Sequence, residues 1–217
     1  FSGYTDMARG CAKMLGFNLM LNFNNPYLAT GLGDFWKRWH ISLSSWIKDY
    51  IYIPFGGNRH GRIMTYRNMI LAMLLAGLWH GAAWTFVIWG ALHAIGRCGT
   101  RELEATAFYC NRVPKIVKQL FTFHFVCLTW IFFRAGTFSD AMTILKGIFT
   151  FISADPRFPV IGILFILLVW AYQFIFESRF RSLLEFSTVK IALMLAMILY
   201  MVFFRTSGYE VFYYFRF

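Results

Sequence analysis

The stretch Leu74–Gly96, LLAGLWHGAAWTFVIWGALHAIG, is apolar enough for a bilayer interior, yet it places His80 between Trp79 and Gly81. Taken back to Met69, the run Met69–Ile95 holds about 27 residues without a formal charge, enough to cross a ~30 Å hydrocarbon core with tilt. His80 falls near its middle. Ionisable groups at that depth face a cavity or a bundle interior and tend to mark functional sites. The plainer alternative is a neutral imidazole bonded to a neighbouring helix. Gly77, Gly81, Ala82 and Ala83 leave room for a substrate or a close backbone approach, and the two glycines can break the helix at the histidine.

The flanks of this run pose a topology question. Lys37, Arg38, Lys48, Arg59, Arg62 and Arg67 precede it; Arg97, Arg101, Arg112, Lys115 and Lys118 follow it. One traversal puts the two basic groups on opposite faces, whereas a re-entrant hairpin broken near His80 puts them on one. The positive-inside rule favours the hairpin and helical length favours the span. The expectation adopted is a tilted, locally irregular span.

Three further segments read as spans: Ile116–Phe133, whose end residues Lys118 and Arg134 can snorkel, Val160–Phe176, and the shorter Ile191–Phe204, bounded by Lys190 and Arg205. Hydrophobic residues make up 59% and charged residues 14% of the 217, where soluble domains have about 45–50% and about 25%. The sequence therefore predicts an all-α, multi-pass transmembrane helical bundle, a single membrane domain over 1–217. Its net charge of +11 sits beside the apolar blocks, which points to anionic membrane lipid rather than nucleic acid. Pro114, Gly136, Pro156 and Pro159 punctuate the connections.

Residues 1–68 differ from the rest. Met7–Phe23 is mixed and reads as a short or interfacial helix ended by Pro26. In GDFWKRWHISLSSWIKDYIYIPFGGNRHG, Asp34 is placed as an N-cap, and Trp36, Trp39, His40, Leu43, Trp46, Ile47 and Tyr50 share one helical face at spacings of three and four. Pro54 and Gly56–Gly57–Asn58 then turn the chain. A basic, Trp-rich amphipathic helix lies at the interface or re-enters the membrane.

His40 is split evenly between interfacial anchoring and function. His93, near the end of its run, suits a headgroup or backbone carbonyl. His124 reads as a packing residue and His60 as solvated. Cys11, Cys98, Cys110 and Cys127 form no Cys-x-x-Cys pair, with Cys11 and Cys127 read as packing residues, and no histidine spacing suggests a metal site. A nucleophile elbow and a phosphate loop are absent. The chemistry most readily built is proton transfer by a neutral imidazole, taking a proton from an attacking hydroxyl while an acyl thioester is presented from the other side.

The blocks FSGYTDMARGCAKMLGFNLMLNFNNPYLATGLGDFWKRWHISLSSWIKDYIYIPFGGNRHG (1–61), GLWHGAAWTFVIWGALH (77–93), CLTWIFFRAGTFSDA (127–141) and the closing YYFRF resemble the membrane-bound O-acyltransferase (MBOAT) family, in its bacterial alginate O-acetyltransferase branch. The resemblance implies a multi-pass bundle of which this chain is the C-terminal half, in the bacterial cytoplasmic (inner) membrane. It implies His80 as the catalytic residue and His40 as the second one implicated; Trp36, Trp39 and Trp79 are placed as walls of a substrate tunnel, with core packing or interface anchoring as the equally weighted alternative. The acyl donor would be acetyl-CoA or another cytoplasmic thioester, used as a co-substrate with no bound cofactor. The acceptor would be a hydroxyl of an exported polysaccharide such as alginate, reached through an extracytoplasmic acetyltransferase partner. Lys37, Arg38 and Lys48 are candidates for donor phosphates, with lipid headgroups favoured. Ala83 stands where many relatives have Asn. A transporter subunit would show paired intramembrane carboxylates or repeats, which the sequence lacks; a non-catalytic scaffold of a polysaccharide export complex is the other alternative.

Overall fold

The computed structural model of the chain describes residues 1–150 and 160–203. Every regular element among them is helical. The chain folds as two compact units, Phe1–Val160 and Ile161–Phe217.

The first unit is organised by two long helices, α4 (Gly61–Trp79) and α5 (Trp84–Glu104), after three shorter ones, α1 (Ser2–Met14), α2 (Leu32–Arg38) and α3 (Ile41–Ile47). The predicted Met69–Ile95 span is therefore interrupted. α4 ends in a tightened turn, with the His80 and Gly81 N–H groups donating to the Gly77 and Leu78 carbonyls at 3.0 and 3.1 Å. Gly81 adopts φ 147°, a conformation that suits glycine, and Ala83 is extended before α5 begins.

The two helices then run antiparallel. A Cβ on Gly77 would strike the Phe86 carbonyl oxygen, one on Gly90 would strike that of Met73, and Arg62 pairs with Glu102 near the far ends. Partner numbers rise on one arm as they fall on the other, which is the signature of a hairpin. Small residues at 77 and 90 let the backbones close up, the usual device of packed membrane helices. The expected single traversal is thus replaced by the hairpin that the basic flanks had favoured, and those flanks share one end.

After α6 (Ala107–Arg112), α7 (Lys115–Arg134) packs against α5 and is followed by α8 (Phe138–Thr150). Among the described residues, α7 is the one helix long and apolar enough to cross a membrane. It also anchors the irregular segment before α2. Its buried Gln119 Nε2 donates to the Leu28 carbonyl at 2.8 Å, and Tyr109 Oη, from α6, donates to the Thr30 carbonyl at 3.0 Å. Ala29, Leu32, Phe35 and Val126 form the core beneath. Met7–Phe23 is helical only as far as Met14. α2 starts at Leu32, so Asp34 lies inside its first turn and accepts from the Thr30 N–H at 3.2 Å instead of capping it. Cys11 is exposed, against its expected packing role, and Cys127 is half-buried.

The second unit contains α9 (Val160–Phe176), α10 (Arg181–Glu185) and α11 (Ser187–Phe203). α9 and α11 coincide with two predicted spans; their apolar stretches, Gly162–Phe176 and Ser187–Ala196, are shorter than a full crossing. The closing YYFRF, Phe204 and Arg205, and Pro156 and Pro159, lie outside the described residues.

Candidate active site

His80 occupies the apex of the hairpin. Its side chain is buried, 7% exposed, against Phe133, Trp89 and Phe86, with ring centroids at 4.9, 5.5 and 6.2 Å. Trp89 meets it edge-on at 90°. The apex position follows from the sequence: the helix cannot continue through Gly81 at φ 147°, so the histidine is left on the last turn, facing α5 and α7.

His40 sits at a corner that spacing alone did not reveal. The predicted amphipathic helix breaks there into α2 and α3, with His40 left-handed at φ 44° and ψ 55°. Such a backbone is unfavourable for a residue with a Cβ. Asn22, itself buried, holds it in place. Its carbonyl accepts the Ile41 N–H at 2.9 Å, and its side-chain oxygen accepts the Ser42 N–H at 3.1 Å and the Ser42 hydroxyl at 3.0 Å. An N–H can only donate, so this atom is the amide oxygen. His40 Nδ1 lies 3.3 Å from this oxygen and 3.3 Å from the Ser42 hydroxyl, so it can donate to the first or accept from the second. Burial pushes the His40 pKa down to about 4, against a smaller opposing backbone hydrogen bond, so the ring is neutral at physiological pH.

The predicted tunnel residues separate. Trp36 packs edge-on to Trp89 and His93 at 5.9 and 5.2 Å. Trp39 stacks on Phe35 at 5.6 Å and meets Phe23 and Trp130 in the core. Trp79 is 65% exposed, which suits an interfacial anchor better than a tunnel wall. The expected shared face also divides, because Trp46 and Tyr50 are exposed and stack on each other at 5.5 Å.

A cavity of about 250 Å³ lies between α2, α3, α4 and α5. Lys37, Lys48, Arg97 and Arg101 line it together with Trp36, Ile47, Tyr52, Met69, Ala72 and Met73; neither His40 nor His80 does. It joins cations from both basic flanks to an apolar floor. Arg38, one of the predicted phosphate contacts, instead bonds Asp34 Oδ1 at 2.8 Å.

Sequence reasoning missed His93. It is fully buried, 0% exposed, and bonds the Thr129 hydroxyl of α7 through Nε2 at 2.9 Å, where a headgroup or backbone partner was expected. The signal was available: α5 runs on to Glu104, so His93 is mid-helix. His124 is exposed and bonds the Leu120 carbonyl of its own helix at 2.7 Å, while His60 is exposed as expected. Among the described residues no three His, Cys, Asp or Glu side chains converge on a metal-sized site.

The described residues form a helical bundle in which one helix, α7, is long and apolar enough to cross a membrane and a buried imidazole, His80, stands at a hairpin apex. A model of the membrane-bound O-acyltransferase family matches residues 1–135, more than half of the chain, and the chain belongs to that family. It is 49% identical over 148 residues to the peptidoglycan O-acetyltransferase of Helicobacter pylori, covering 68% of this chain and 28% of that protein. It is 48% identical over 154 residues to a probable alginate O-acetylase of Azotobacter vinelandii, covering 70% and 30%. With the teichoic acid D-alanyltransferase of Bacillus subtilis the identity is 32% over 150 residues, covering 64% and 38%. The chain thus matches between 28% and 38% of the length of these relatives.

Proposed function

We propose that this chain acts within a longer, multi-pass O-acyltransferase of the bacterial inner membrane, moving acetyl from a cytoplasmic thioester toward hydroxyls of an exported polysaccharide such as alginate. The observation that carries the reading is His80, a buried imidazole presented at the hairpin apex, with His40 held at a clamped left-handed corner. The relatives named for acetyl and D-alanyl transfer support acyl chemistry.

In this reading His80 is the general base. It takes the proton of the attacking hydroxyl as the oxygen bonds to the thioester carbonyl; the carbon–sulfur bond breaks, and the thiolate leaves and is reprotonated. His40 orients the reactants or handles the second proton. The cations of the cavity suit an anionic donor, with phosphate oxygens against Lys37, Lys48 and Arg101 and the acyl arm over Trp36, Met69 and Met73. The positive-inside rule places this basic end on the cytoplasmic side, and an extracytoplasmic partner passes the acetyl group to the polysaccharide.

Thioester consumption by the complete purified protein tests the proposal. His80→Ala is expected to abolish it while expression and membrane insertion persist, and His80→Gln to do the same with less change in polarity. Unchanged consumption would leave the scaffold reading standing. Loss of the folded protein in both variants would give His80 a packing role.

A further inference from the structure

His93 is enclosed by Trp89, Trp36, Phe125 and Phe35, with ring centroids at 4.8, 5.2, 6.1 and 6.2 Å. Its Nε2 lies 2.9 Å from Thr129 Oγ1. That hydroxyl has one proton, already donated to the Val126 carbonyl at 2.8 Å. Thr129 must therefore accept from His93, which carries its proton on Nε2 and leaves Nδ1 bare.

Nδ1 of His93 has no hydrogen-bond partner, and neither do the indole nitrogens of Trp36 and Trp89. These are the orphaned buried side-chain atoms of the first unit among the described residues, and all three fall in one cluster. Phenylalanine or leucine would fill the same space without an unpaired polar atom, so packing alone does not account for the choice of side chains. The indole of Trp89 stands between two imidazoles, 4.8 Å from His93 and 5.5 Å from His80 at 90°.

We propose that His93 is a positioning residue: Thr129 fixes the His93 ring, His93 fixes the Trp89 indole, and the indole sets the plane in which His80 meets its substrate. This rests on reading His80 as the reacting base. The chain of contact joins α7 to α5 and α5 to the hairpin apex, so it ties α7 to His80.

The test is made in the complete membrane protein, with rates normalised to folded protein and followed against donor concentration. Thr129→Val keeps the side-chain shape and removes the acceptor; Thr129→Ser keeps it; His93→Phe keeps an aromatic ring; His80→Ala is the reference. Thr129→Val and His93→Phe are expected to lower kcat about tenfold with donor KM within about twofold, and Thr129→Ser to restore kcat. A Thr129→Val protein with wild-type kcat per folded molecule, beside an inactive His80→Ala, would overturn the positioning role. Activity retained by His80→Ala would instead remove the reading beneath it. Should His93→Phe fail to accumulate, the Thr129 pair decides: a fall in kcat restored by serine supports the role, and an unchanged kcat overturns it.

Discussion

Gly77→Ala probes the hairpin through a single methyl group. The added carbon would meet the Phe86 carbonyl oxygen, a backbone atom held in α5 that no rotamer change can move aside. Restoring an ordinary contact requires the arms to part by on the order of 1 Å. Overpacking of that kind costs about 1–3 kcal/mol. The functional cost is larger, because His80 lies less than one turn beyond Gly77 while its neighbour Trp89 rides on the other arm. A misplacement of ~1 Å in a catalytic constellation lowers rates about a hundredfold. Gly99→Ala is the internal control: it lies on the same α5, and its added carbon would meet nothing within 4 Å. That change should be neutral or stabilising by up to ~1 kcal/mol, the helix preference of alanine over glycine. Thermal unfolding in detergent and acyl transfer per folded molecule measure both effects. Equal behaviour of the two variants would refute the close approach of α4 and α5, and with it the apex that presents His80.

Two other outcomes follow from the same geometry. At the left-handed corner, His40→Gly should be more stable than His40→Ala by about 1 kcal/mol, the penalty a Cβ meets there, while both lose acyl transfer; equal melting temperatures would contradict the φ of 44°. In the basic cavity, Lys37→Gln combined with Arg101→Gln should raise donor KM about tenfold or more and leave kcat within about twofold, and an unchanged KM would direct these cations to lipid instead.

How much of this was legible in the sequence depends on whether a feature is local. His80 stood out because an imidazole in an uncharged apolar run is rare. The hairpin was half-legible: the basic residues on both flanks favoured it, but run length measures how far a chain could reach, not whether it turns back. The deciding facts are pairings, Gly77 with Phe86 and Gly90 with Met73, and neither partner marks the other in sequence. The corner at His40 was hidden for a similar reason. Aromatic spacing continued smoothly through it, while the clamp that bends the backbone comes from Asn22, outside the periodic run. His93 looks terminal within the apolar run, yet α5 carries Arg97 and Arg101 well past it and makes it a mid-helix residue.

The central claim is that these two histidines act as one site. A double-mutant cycle on acyl transfer by the complete protein, with His40→Ala, His80→Ala and the pair together, tests it most directly. The double variant is predicted to be no slower than His80→Ala alone, because the second loss removes a partner whose task has already vanished. Losses that multiply, each histidine contributing its full factor independently of the other, would contradict the account.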